Sequence, residues 1–113
     1  MHEYHIVERV VERALVEAAD RKASRITRIT LVAGELSGLE ESSIRLHFGT
    51  ISKGILVENA ELIVKVARAE LECKKRGMVF RRKKDEFNCP ACGSSGVSVK
   101  TGRELCVEKV ETD

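Results

Sequence analysis

Residues 73–101 hold too little apolar material to fold by packing alone, and that limits what the rest of the chain can be. Their large apolar residues are Met78, Val79, Phe80, Phe87, Val97 and Val99, set around the basic run Arg81-Arg82-Lys83-Lys84. A segment that small needs a staple. It carries three of the four cysteines. Cys89-Pro90-Ala91-Cys92-Gly93 has the C-x2-C-G form of a metal knuckle. Cys73-Lys74-Lys75-Arg76-Gly77 has the same form, with arginine in place of the second cysteine. A glycine that closes such a turn can take positive φ and free backbone N–H groups to donate to sulfur. Zinc prefers four tetrahedral ligands, and a thiolate site can organise a segment that lacks its own core. The spacing therefore predicts a Zn(II) hairpin with Cys73, Cys89 and Cys92 as ligands. The competing reading is a pair of reduced cysteines in a tight turn, or a redox C-x2-C. A redox pair usually opens a helix, and no helical pattern follows Cys92.

Arg76 cannot be the fourth ligand, because a guanidinium stays protonated and has no lone pair to offer. From the residues alone the fourth position is open to Cys106, to a carboxylate such as Asp85 or Glu86, to water, or to nothing.

The remainder of the chain reads as a small α+β domain. Apolar residues at Ile6/Val7, Val10/Val11, Ala14/Leu15 and Ala18/Ala19 predict an amphipathic helix over 4–21, with Glu17 and Arg21 as an i,i+4 pair. Residues 25–33 alternate as a strand. A second helix is expected over about 40–53, with Glu40 and Glu41 at its positive end and Ile44, Phe48 and Ile51 as its buried stripe. Residues 60–71 predict a second strand, and Arg103 to about Glu111 a third after Gly102. The expected architecture is two helices packed on a small three-stranded mixed sheet, with an inserted zinc-knuckle hairpin domain. Residues 1–70 plus 102–113 would form the α/β domain and 71–101 the hairpin. The strand–helix–strand link predicts a parallel crossover.

The totals exclude several classes. At 113 residues the chain is one domain with at most a small appendage. A net charge of +2 is too small for a polycation that coats nucleic acid. Aromatics at 4%, without tryptophan, leave few rings to stack on bases. No apolar run is long enough to span a bilayer. The start has no basic segment followed by an apolar one, so it does not read as a secretory signal. The cytoplasm is expected, where clustered thiols serve metals rather than disulfides.

His2 directly follows the initiator methionine. Its ring nitrogen and the adjacent backbone amide nitrogen can close a chelate ring around one ion, and the terminal amine or the Glu3 amide can add a bond. Imidazole with deprotonated amides favours a square-planar ion, Ni(II) or Cu(II), over zinc. The competing reading is an exposed terminal histidine. His5 and His47 read as surface or packing residues.

Together, Met1-His2-Glu3-Tyr4, the segments ITRITLVAGELSGLE and AELIVKVARAELEC, the knuckle CPACG and the ending GRELCVEKVE resemble the HypA nickel metallochaperones of [NiFe]-hydrogenase maturation across essentially the whole chain. The resemblance implies a nickel-binding domain of two helices on a three-stranded sheet plus a zinc domain. It implies Ni(II) as cargo, held by the His2 side chain and nearby backbone nitrogens, with Glu3 part of the motif and Glu40 able to approach the metal. It further implies delivery to a hydrogenase large subunit with a HypB-type GTPase; in some organisms the same pair serves urease. A homodimer is left open. In the family the last strand returns to the sheet and leaves the zinc tip, so Cys106 is expected away from the knuckles. Zinc is then expected on Cys73, Cys89 and Cys92 with an exchangeable fourth ligand.

Two other functions compete. A nucleic-acid-binding zinc ribbon draws on the cations of residues 71–88, which also read as a solvated basic face or a partner-docking surface. An enzyme would need a nucleophile–base pair, a phosphate-cradling loop or an HExxH motif, and the sequence has none of them.

Overall fold

The computed structural model describes residues 2–81 and 87–113, with His2 described by its backbone only. The chain divides into two compact units, one made of the residues up to Val32, Leu39–Lys65 and Leu105–Asp113, the other of Ala33–Gly38 and Val66–Glu104.

In the first unit, α1 (His2–Asp20) and α2 (Glu41–Ile51) pack with a sheet in the order β2 (Glu61–Ala67), β1 (Ile26–Gly34), β6 (Leu105–Thr112). Helical spacing selects the buried stripe of α1: Val7, Val10, Val11, Ala14 and Ala18 join Ile44 and Phe48 of α2, Ile26, Ile29 and Leu31 of β1, Leu62 and Val110 in one core. Arg21 bonds Glu17 at 3.1 Å, the expected i,i+4 pair. On the solvent face the Arg28 guanidinium bonds Glu61 at 2.7 Å and Glu111 at 3.1 Å, which spans the three strands in their order.

The sheet is mixed. Arg28 meets Glu61, and further along the Glu35 N–H bonds the Ala67 carbonyl at 2.9 Å, so β1 and β2 ascend together. The Asp113 N–H bonds the Arg25 carbonyl at 3.3 Å and the Gly34 N–H bonds the Glu104 carbonyl at 2.8 Å, so β6 descends against β1. The parallel crossover through α2 follows from this order.

In the second unit, β3 (Glu70–Cys73), β4 (Val79–Arg81) and β5 (Val97–Thr101) form an antiparallel sheet in the order β4-β3-β5. Leu71 stands opposite both Phe80 and Val99. Leu71, Phe80, Cys73 and Cys89 are the buried core, with Val97 and Val99 partly covered against it. Met78, Val79 and Phe87 remain exposed, which leaves two large apolar side chains to hold three strands.

The single strand expected over 60–71 is two strands. β2 stops at Ala67 and β3 begins at Glu70; between them Ala69 is fully buried and its N–H bonds the Glu35 carboxylate at 2.7 Å. Among the described residues no helix is long and apolar enough to cross a membrane.

Candidate metal centre

Two turns of one geometry bring the cysteines together. In the first, the Gly77 N–H bonds the Cys73 carbonyl at 2.7 Å and the Cys73 N–H bonds the Met78 carbonyl at 2.9 Å. In the second, the Gly93 N–H bonds the Cys89 carbonyl at 2.7 Å and the Cys89 N–H bonds the Ser94 carbonyl at 3.0 Å. Gly77 has φ +68° and Gly93 +70°, a conformation that costs glycine nothing and an L side chain about 1 kcal/mol or more. Arg76 thus stands in register with Cys92. The backbone of the knuckle is complete on both sides, and one thiol is replaced by an exposed guanidinium.

The Sγ atoms of Cys73, Cys89 and Cys92 all lie within 4.8 Å of one another. Zn–S bonds of about 2.3 Å place the sulfurs of a tetrahedral site about 3.8 Å apart. The Cys73 and Cys92 sulfurs are 3.7 Å apart. The trio therefore fits zinc at three corners of four, with Cys73 and Cys89 buried and Cys92 exposed. Burial pushes the Cys89 thiol up, but the N–H groups of Ala91 and Cys92, with the Cys92 and Cys73 side chains, outweigh it and hold the group below an ordinary thiol. At Cys92 the Ser94 N–H pulls the other way, yet the Cys89 thiol, burial and the Cys73 thiol leave it above an ordinary thiol. Ionising Cys89 thus makes Cys92 harder to ionise unless a cation lies beside them.

Cys106 lies on β6, exposed, and is not a member of the trio. Asp85 and Glu86 lie outside the described residues, as do Arg82, Lys83 and Lys84 of the basic run; Arg81 ends β4 and is exposed.

At the other candidate end, the His2 side chain and Met1 lie outside the described residues. Glu3 sits half-buried in the first turn of α1. Glu40 is the exposed N-cap of α2 and makes no side-chain capping bond. Among the described residues, only the cysteine trio gathers three or more His, Cys, Asp or Glu side chains closely enough for a metal. Sequence reasoning missed how the first turn is anchored: the Tyr4 ring meets His47 of α2 edge-on at 5.6 Å and His5 edge-on at 5.8 Å. It also missed Glu35, whose bond to Ala69 spans 34 positions and has no local signal.

A small α+β fold with three cysteine sulfurs gathered closely enough for a metal defines a candidate metal-binding protein. The sequence profile of the HypA family, described as hydrogenase/urease nickel incorporation, metallochaperone, matches residues 1–112. The hydrogenase maturation factor HypA of Caldanaerobacter subterraneus subsp. tengcongensis is 37% identical over 114 residues, covering 100% of each chain. That of Prosthecochloris aestuarii is 36% identical over 110 residues, 97% of each. The solution structure of the Ni metallochaperone HypA from Helicobacter pylori superposes with a TM-score of 0.74 at 26% identity, covering 97% of this chain and 96% of that one. The chain belongs to the HypA family. Its role is in nickel incorporation during hydrogenase maturation, as a maturation factor and not an enzyme.

Proposed function

We propose that the chain binds Ni(II) at its N-terminus and delivers it in the cytoplasm to a [NiFe]-hydrogenase large subunit, working with a HypB-type GTPase; the family description extends the same chemistry to urease. The observation that carries this is the helical start. α1 begins at His2. The first N–H groups of a helix have no intrahelical acceptor, so the amide nitrogens of His2 and Glu3 can bind a metal without breaking a helical hydrogen bond. The His2 imidazole supplies the side-chain donor, and a set of imidazole and amide nitrogens suits square-planar nickel. The Tyr4–His47 contact ties this turn to α2, whose N-cap is Glu40. Glu40 acts as a secondary contributor, because a carboxylate at a helix N-terminus is favoured as the anion. Cys73, Cys89 and Cys92 hold a structural Zn(II) that keeps the second unit folded. The basic run serves encounter with an acidic partner surface.

Calorimetric titration of Ni(II) tests the assignment. His2→Ala lowers nickel affinity by about 100-fold and Glu40→Gln by about tenfold or less, with helical circular dichroism unchanged in both. Equal affinity of the His2→Ala variant and the native chain overturns the N-terminal site. Equal losses in the two variants make Glu40 a primary ligand. A residue added before Met1 weakens binding if the terminal amine is a ligand and leaves it unchanged if only the ring and internal amides bind.

A further inference from the structure

The two knuckles share one backbone, and only one of them supplies two thiols. Arg76 stands in register with Cys92, where a fourth thiol would sit, and among the described residues no other ligand joins the three sulfurs. Three thiolates around a divalent zinc leave one negative charge and one open corner. Three exposed cations, Lys74, Lys75 and Arg76, occupy the turn that should have closed it, and among the described residues none of them has an acidic partner. Cys106, the remaining thiol, is outside the trio. Unpaired cations beside a thiolate cluster favour a further anion over a neutral donor, and zinc in a sulfur environment favours a soft one.

We infer that the turn Cys73–Gly77 makes the zinc centre an open, cation-rimmed site that takes a small anionic thiol from solution as its fourth ligand. This rests on the zinc reading given above. The incoming thiol gives its proton to solvent and its sulfur fills the seat opposite Cys92. Its carboxylates pair with Lys74, Lys75 and Arg76. No electron is transferred and no covalent bond is broken. Occupancy of the centre would then follow the concentration of reduced thiol.

The test uses the full chain freed of metal, kept reduced with a phosphine and loaded with Co(II), whose sulfur-to-metal charge-transfer bands scale with the number of thiolates. Reduced glutathione is the anionic probe and cysteamine the cationic control. The native chain should show a three-thiolate spectrum that glutathione converts to a four-thiolate one, with a single glutathione adduct in native mass spectrometry. Cysteamine should need about tenfold more for the same change, and the pair Lys74→Glu and Lys75→Glu should erase that preference. Arg76→Cys should show the four-thiolate spectrum without added thiol and ignore glutathione. If Co(II) binds and glutathione leaves the spectrum unchanged, the inference fails while the zinc reading stands. A four-thiolate spectrum in the native chain without thiol, or a spectrum shifted by Asp85→Asn with Glu86→Gln, also overturns it, since the chain itself would then fill the seat. If no Co(II) or Zn(II) binds, the zinc reading falls and takes this inference with it.

Discussion

Gly34 and Gly102 approach so closely that a Cβ on Gly34 would stand 2.1 Å from the Gly102 carbonyl oxygen, and one on Gly102 would stand 2.6 Å from the Ala69 methyl. Both contacts are with atoms that cannot swing aside, so an added methyl must move backbone. Gly34→Ala should lower stability by about 2–3 kcal/mol, read as a shift in the urea midpoint. Gly49 is the control: it lies within α2, and a Cβ there meets nothing within 4 Å. Gly49→Ala should raise stability by about 0.5–1 kcal/mol through helix propensity. A Gly34→Ala protein as stable as the native one would mean that this junction yields easily. The sequence shows both glycines and cannot show that they meet, because their contact joins positions far apart in the chain. The cysteines are different. Their convergence is legible because spacing and a following glycine define a turn locally, and the same local rule exposes Arg76 as the residue out of place.

Strands and helices were legible where one periodicity ran unbroken. α1 shows its stripe from Val7 to Ala18, and α2 its Ile44 and Phe48. The run over 60–71 misleads because its alternation continues through Ala69, where a carboxylate from another loop takes the N–H. β4 and β5 are short and were legible only as a hairpin. The turn before β6 has its own acid. The Gly102 N–H, which bonds the Glu104 carboxylate at 3.0 Å, is the main influence holding that group below the usual carboxylate range. A group depressed in the folded state stabilises fully above its unfolded value of about 4.3 and loses that contribution as pH falls through the folded one. Glu104→Gln should therefore melt below the native protein at pH 7, and the difference should shrink as pH falls below about 4. A gap that stayed constant down to pH 2 would show that the carboxylate charge does not matter there.

The two units differ in what holds them. One has a core drawn from both helices and three strands; the other has Leu71 and Phe80 with two buried cysteines. The second unit takes in Ala33–Gly38 and begins again at Val66, ahead of the composition change at Cys73, because its membership depends on pairings the sequence does not display. On the proposed zinc reading, a chelator should collapse amide-exchange protection in β3, β4 and β5 and leave the helical circular dichroism of α1 and α2 in place, since structural zinc contributes folding energy directly. Protection unchanged after metal removal would make the small apolar core sufficient. The ring contacts of the first turn have a separate consequence. The chain has one tyrosine and no tryptophan, and that tyrosine is Tyr4, edge-on between His5 and His47. Emission excited beyond the phenylalanine absorption band therefore comes from a single ring two residues from His2. On the proposed N-terminal site, an arriving Ni(II) can accept that excitation through its own absorption, so loading there would be read from Tyr4 without a label.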